Sequence, residues 1–156
     1  MSRELLRHAL ATVAYRGGKA LRDAPASFSE FRVGPRSRSA GEILAHLSDL
    51  FDWGTSLAQG QHTWRDVPPG DWSDDVSRFF AALAAFDAEL ASGKPLGCSA
   101  EQLFQGPIAD ALTHVGQLNM MRRLAGSPVR GENYFKADIA AGRIGVDQRP
   151  PRVEFD

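Results

Sequence analysis

Four stretches of this chain repeat their apolar residues at the 3.6-residue period of a helix, and glycine and proline separate them. That pattern constrains the fold more than any other feature. The first stretch runs from about Ser2 to Arg22, with Leu5, Leu6, Ala9, Leu10, Val13 and Ala14 on one side and Ser2 as the cap. Gly17 and Gly18 weaken its second half. The second starts at Ser39, whose spacing to Glu42 is that of a capping box, and it ends at Gly60. Ile43, Leu47, Leu50, Phe51 and Leu57 form its apolar face. The third, about Ser73 to Ser92, buries Val76, Phe79, Phe80, Leu83, Phe86 and Leu90 and stops at Gly93 and Pro95. Ser99 and Gln102 have capping-box spacing too and open a short turn. Gly106-Pro107 then resets the direction, with Pro107 in the first turn of the fourth helix. That helix reaches Ala125 before Gly126, and Ile108, Leu112, Val115, Leu118, Met121 and Leu124 spread around it, which predicts a well-buried rod.

No alternating β-branched run suggests a sheet, so the expected class is all-α, with four helices packed as a bundle. Residues 1–156 are expected to form one domain, with the bundle at about 2–126 and a tail at 127–156 lying across it. Within the tail only Tyr134–Ala141 reads as a helical candidate, and residues 23–38 read as a long connection rich in Pro, Ser and Arg.

Charge excludes some functions. Residues 1–38 carry eight Lys/Arg against three Asp/Glu, but residues 39–110 carry three against eleven. The middle of the chain would repel phosphates, and the arginines before it are scattered, so no nucleic-acid partner is expected. No apolar run approaches the roughly 18 residues of a membrane span. The start, MSRELLRHAL, turns polar and basic too early for a signal peptide, and Cys98 stands alone, so a cytoplasmic location is expected. The lone thiol has no feature of an activated thiolate.

The residues that point to chemistry are His46, Asp110, His114 and Gln117. His46 shares the apolar side of the second helix with Ile43, Leu47, Leu50 and Trp53. Asp110 and His114 are four apart on the fourth helix, so their side chains share one face. Such a pair can hold one ion, and a ligand from a facing helix completes the set in the way that bundle-core metal sites are built. Imidazole with carboxylate suits zinc, nickel, iron or manganese better than calcium. Three ligands leave a position open, the catalytic arrangement. The plainer alternatives are a local Asp–His salt bridge and a core histidine satisfied by its neighbours. Asp49 could orient an imidazole or face solvent, and Gln117 could bond Asp110 or a water or bridge helices. Arg122 and Arg123 complement the helix dipole or meet an anionic substrate. Tyr134, with Glu132 and Asn133, could close over the site or simply pack. Trp53, Trp64 and Trp72 read as packing or loop anchors.

The segment GEILAHLSDLFDW, followed by DALTHVGQLNMMRRLAG, resembles the DinB-like superfamily of bacterial four-helix proteins. The resemblance covers residues 2–126. It matches His46 to the family's second-helix ligand, and His114 and Gln117 to the last two positions of an HxxxHxxQ motif on the last bundle helix. Arg123 and Gly126 keep the motif's ending, with Arg122 where a leucine would stand. Asp110 stands where the family has the first histidine. Aspartate ligates the same ions, so the set either persists with an added negative charge, changes its metal, or loses affinity and leaves a non-catalytic module. The resemblance implies a DinB-like bundle, a homodimer, and a divalent transition metal, zinc or nickel first and iron or manganese after. It also implies a metal-dependent transferase or hydrolase acting on a small molecule, and some members are transferases that use bacillithiol or mycothiol, so a low-molecular-weight thiol is the implied co-substrate. Two further readings are a stress-response or binding module without chemistry, and a structural dimer whose polar core residues set helix register.

Overall fold

Ser2 and Ser39 each accept the free amide of the residue three positions on, and each starts a helix in the computed structural model, which describes residues 1–156. The first helix, α1, spans Arg3–Leu21, and α2 spans Ala40–Ala58. At Ser39 the box is complete, because Glu42 also reaches back to the Ser39 amide at 2.7 Å. Replacing Ser39 with alanine removes one half of this exchange. The expected result is a loss of about 1 kcal/mol, seen as a drop of about 2–4 °C in thermal midpoint.

Helix α3 spans Trp72–Ala91. Ser99 and Gln102 form a second complete capping box and start α4, Ala100–Leu103. Here the structure departs from expectation. Gly106-Pro107 does not reset the chain. A wide π-helical turn, Phe104–Ile108, carries Pro107 inside it and leads without a break into α5, Ala109–Leu124. The Ala109 amide reaches the Phe104 carbonyl, five residues back. A proline in a regular helix lacks an amide and crowds the carbonyl four residues earlier, and widening the turn relieves both problems. The last bundle rod therefore starts near Ala100. It ends at Gly126, whose φ of +76° is the left-handed conformation expected there.

The four rods pack in the order α1–α3–α2–α5 around one core, closing back from α5 to α1. The fold is thus mostly helical. Phe51, Phe79, Leu83 and Phe86 lie at its centre with no exposure. Gly17 does not break α1. A Cβ there would meet the Phe79 ring at 2.7 Å, so the missing side chain is what lets α3 approach. Two apolar residues that periodicity places on buried faces, Leu5 and Leu124, are more than half exposed, as is Met120 one turn before Leu124. Their side of α5 faces away from the other rods, so the helix is not buried all round.

Residues 23–38 connect α1 to α2 as expected, but a 3₁₀ turn, Ala26–Glu30, inserts Phe28 into the core. The tail also differs in detail. Tyr134–Ala141 is not a helix beyond the 3₁₀ turn Tyr134–Lys136, and two short strands are present where none was expected. These are β1, Gly131–Glu132, and β2, Glu154–Phe155, paired antiparallel with Glu132 opposite Glu154. Strands of two residues are too short to carry an alternating pattern. The tail does lie on the bundle: Ile144 enters the core, and Glu132 is buried against α1. There Glu132 accepts from the Tyr15 hydroxyl at 2.5 Å and from Lys19 Nζ at 2.7 Å, while Lys19 also reaches Glu154. Burial and the Glu132 carboxylate hold the Tyr15 hydroxyl protonated far above its ordinary value. No helix is long and apolar enough to cross a membrane.

Candidate metal centre

Because α2 and α5 are neighbours, the faces that carry His46 and the Asp110/His114 pair look at each other. Two residues before Asp110, the π turn adds a residue to the helix and sets the direction in which the pair points. The two imidazole rings lie 4.8 Å apart, centroid to centroid, at 88°. Asp110 sits between them. Its Oδ1 is 3.5 Å from His114 Nε2, and its Oδ2 is 3.8 Å from His46 Nε2. One ligand atom from each residue lies within 4.8 Å of the other two.

Both Asp–His pairs lie within ion-pair distance, as the plain reading expects, and the same separations suit an ion as well. A hydrogen bond between nitrogen and oxygen runs at about 2.7–3.2 Å, and neither Asp–His distance falls there. Donor atoms on one tetrahedral zinc ion, each about 2.0–2.2 Å from it, stand about 3.3–3.6 Å from one another. The Asp110–His114 distance is in that range, the His46–Asp110 distance of 3.8 Å is just outside it, and the third pair lies within 4.8 Å. The donor chemistry agrees. His114 Nδ1 is 2.8 Å from Gln117 Oε1. An amide oxygen can only accept, so Nδ1 carries a proton, and the neutral form of His114 would present its Nε2 lone pair toward Asp110. Gln117 therefore orients the His114 imidazole from one turn along the same helix. It bonds neither Asp110 nor a second helix.

Both imidazoles are mostly covered, with side-chain exposures of 14% and 12%, whereas the Asp110 side chain is 47% exposed. An ion held here would be walled by histidine on the inside and open beside the carboxylate. Burial, then the positive charge of Arg38, pushes the His46 imidazole below its ordinary pKa. Its neutral form, which is the one that ligates, is favoured. Trp64 packs edge-on against His46 at 5.6 Å and Trp53 against Trp64 at 5.8 Å. Trp64 and Arg38 are the site residues that periodicity could not single out. Both lie in connections, and only the folded path of those connections brings them to α2.

Asp49 has a different place from either expected one. It is buried, and its oxygens accept from Arg78 at 2.5 Å and from the Val67 amide at 3.2 Å. It ties α3 and the 59–71 connection to α2, which fixes the stretch that carries Trp64, and it does not hold an imidazole. Tyr134 stands edge-on to Tyr15, with the Arg16 guanidinium 4.4 Å over its ring. Its contacts are with α1, and Glu132 is occupied there as well, so the tail does not close over the trio. Arg122 is buried and bonded to backbone carbonyls, leaving no fork for a substrate. His8 and His62 are exposed, and His62 packs on Trp53. Burial raises the Cys98 thiol above its ordinary pKa, against a thiolate role.

Fold and site together define a helical protein with a His–Asp–His group able to hold a metal ion. Comparison with protein-family models, with curated proteins and with solved structures finds no match to this chain.

Proposed function

We propose that this protein is a metal-dependent enzyme of DinB-like type, a transferase or hydrolase acting on a small molecule, with a divalent transition ion held by His46, Asp110 and His114. The observation that carries the reading is the convergence of three donor atoms within 4.8 Å, with no hydrogen bond among them to explain it. The motif DALTHVGQ and the helix-two histidine add to it. Zinc or nickel suits two imidazoles and one carboxylate best, with iron and manganese next. When bound, such an ion supplies Lewis acidity at the open side of the site.

The chain's own residues supply the rest. Gln117 holds His114 in the ligating tautomer, and Trp64 covers one face of His46. Asp49 and Arg78 fix the connection that carries Trp64. Asp110, the exposed ligand, leaves the approach to the centre open. A low-molecular-weight thiol is the co-substrate class that fits the family resemblance.

Elemental analysis of protein purified without a histidine tag tests the proposal. The expected result is about one transition-metal ion per chain, and a stoichiometry near zero after zinc or nickel loading would overturn it. Replacing Gln117 with leucine gives a graded check. Losing the partner of a ligand imidazole is expected to weaken zinc binding about 10–100-fold in a chelator competition titration, with helical content unchanged.

A further inference from the structure

Two clefts meet at the His–Asp–His centre. One, of about 380 Å³, lies on the His46 side and is lined by Arg32, Arg36, Arg38, Glu42, Asp49 and Asp66, among others. The second, of about 450 Å³, lies on the His114 side against Val33, Ile43, Met120 and Met121. Arg38 and Ser37 line both, so they form the ridge between the two. Each cleft has the size of a small-molecule site.

The two clefts differ in chemistry. In the first, Glu42 is taken up by Arg32 at 2.9 Å and Asp49 by Arg78 at 2.5 Å. That leaves Arg36 and Arg38, neither of which has an ion pair or hydrogen bond within the chain, facing the single carboxylate of Asp66. An unpaired guanidinium presents a planar fork of donors suited to an oxyanion. The second cleft is mainly apolar, and two of its residues, Val33 and Met120, are more than half exposed. Exposed apolar side chains beside a polar centre mark a place where something apolar is covered. Methionine there adapts to the shape of a flexible chain.

We propose that the molecule received at this centre is an amphiphilic anion, with its carboxylate or phosphate on Arg38 and Arg36 and an apolar arm along Val33, Ile43 and Met120. Calling it a substrate rests on the metal-dependent reading above, but its binding can be measured apart from that. Arg38 is the pivot, because it touches both clefts and its charge acts on His46.

The test is calorimetric titration of the full chain, zinc-loaded and metal-free, with octanoate, octyl phosphate and neutral octanol, zinc content being measured on the same samples. The anions are expected to bind both forms at least about tenfold more tightly than octanol. Arg38→Gln is expected to weaken the anions about tenfold or more and leave octanol unchanged, as loss of one charge-assisted contact should. Met120→Asn is expected to weaken all three. Octanoate binding better than octyl phosphate assigns a carboxylate, and the reverse assigns a phosphate. Equal affinity for octanol and the anions, an unchanged Arg38→Gln, or no binding to the parent protein would overturn the inference. Absence of zinc uptake with the anion pattern intact would remove the metal reading alone.

Discussion

Replacing His114 with alanine is expected to lower zinc affinity by about 10²–10³-fold while the helices remain. The magnitude follows from the ligand count. Four-ligand zinc sites bind with about 10–16 kcal/mol, which is roughly 2.5–4 kcal/mol per ligand. His114 contributes one of three protein ligands here, and its loss also leaves Gln117 without a partner. The same result is expected for His46→Ala. Its imidazole is kept neutral by burial and by Arg38, so little free energy goes to releasing a proton near pH 7. Thermal unfolding gives a second readout. Zinc at about 100 times its dissociation constant adds about 2.7 kcal/mol, or about 5–11 °C for a chain of this length. That rise should be present in the parent and absent at equal zinc in either alanine variant. A full zinc-dependent rise in both would show that the ion binds elsewhere.

Arg122→Ala is expected to cost about 3–5 kcal/mol, because several buried carbonyls lose their donor at once. The guanidinium is buried and has no carboxylate partner. It donates to the carbonyls of Ala20 at 2.8 Å and Arg22 at 3.0 Å, and to Ser127 O at 2.7 Å. Ser127 Oγ, at 3.0 Å, takes a further bond. The first two carbonyls belong to the end of α1, where a helix has no amides of its own to offer, and the other two groups follow the end of α5. One side chain therefore closes two helix ends and joins them. Truncation leaves buried carbonyls unsatisfied at both, each costing about 1–3 kcal/mol. Arg122→Lys keeps the charge but loses the fork, and it should fall between alanine and the parent. Thermal midpoints are expected to drop by about 6–20 °C for alanine. A drop under 2 °C would mean that water replaces the guanidinium without loss.

Periodicity and caps made the helices legible because each is a local signal. Ser2, Ser39 and Ser99 start helices through bonds to residues three positions away, and the chain carries both partners side by side. The ligand pair was legible for the same reason, since four residues on a helix is one turn. What escaped was set by distance. Whether Asp49 faces an imidazole or Arg78 depends on how α3 lies against α2, and no spacing within α2 contains that. Arg38 and Trp64 reach the centre through irregular backbone. Pro107 was misjudged on a local rule: proline ends helices only where the turn cannot widen, and here it can.

The widened turn carries one residue more than a regular helix of the same length would use. Each residue in an α-helix turns its successors by about 100°. The segment before Phe104 and the segment after Ile108 are thus held in different angular phase, joined at the widened turn. Sequence drift there faces an unusual trade. A shorter chain would gain a straighter rod only if Pro107 were also replaced, and the same change would swing Asp110 and His114 away from α2. The irregularity keeps two side chains aimed at a third, and regular helix geometry, left to itself, would erase it.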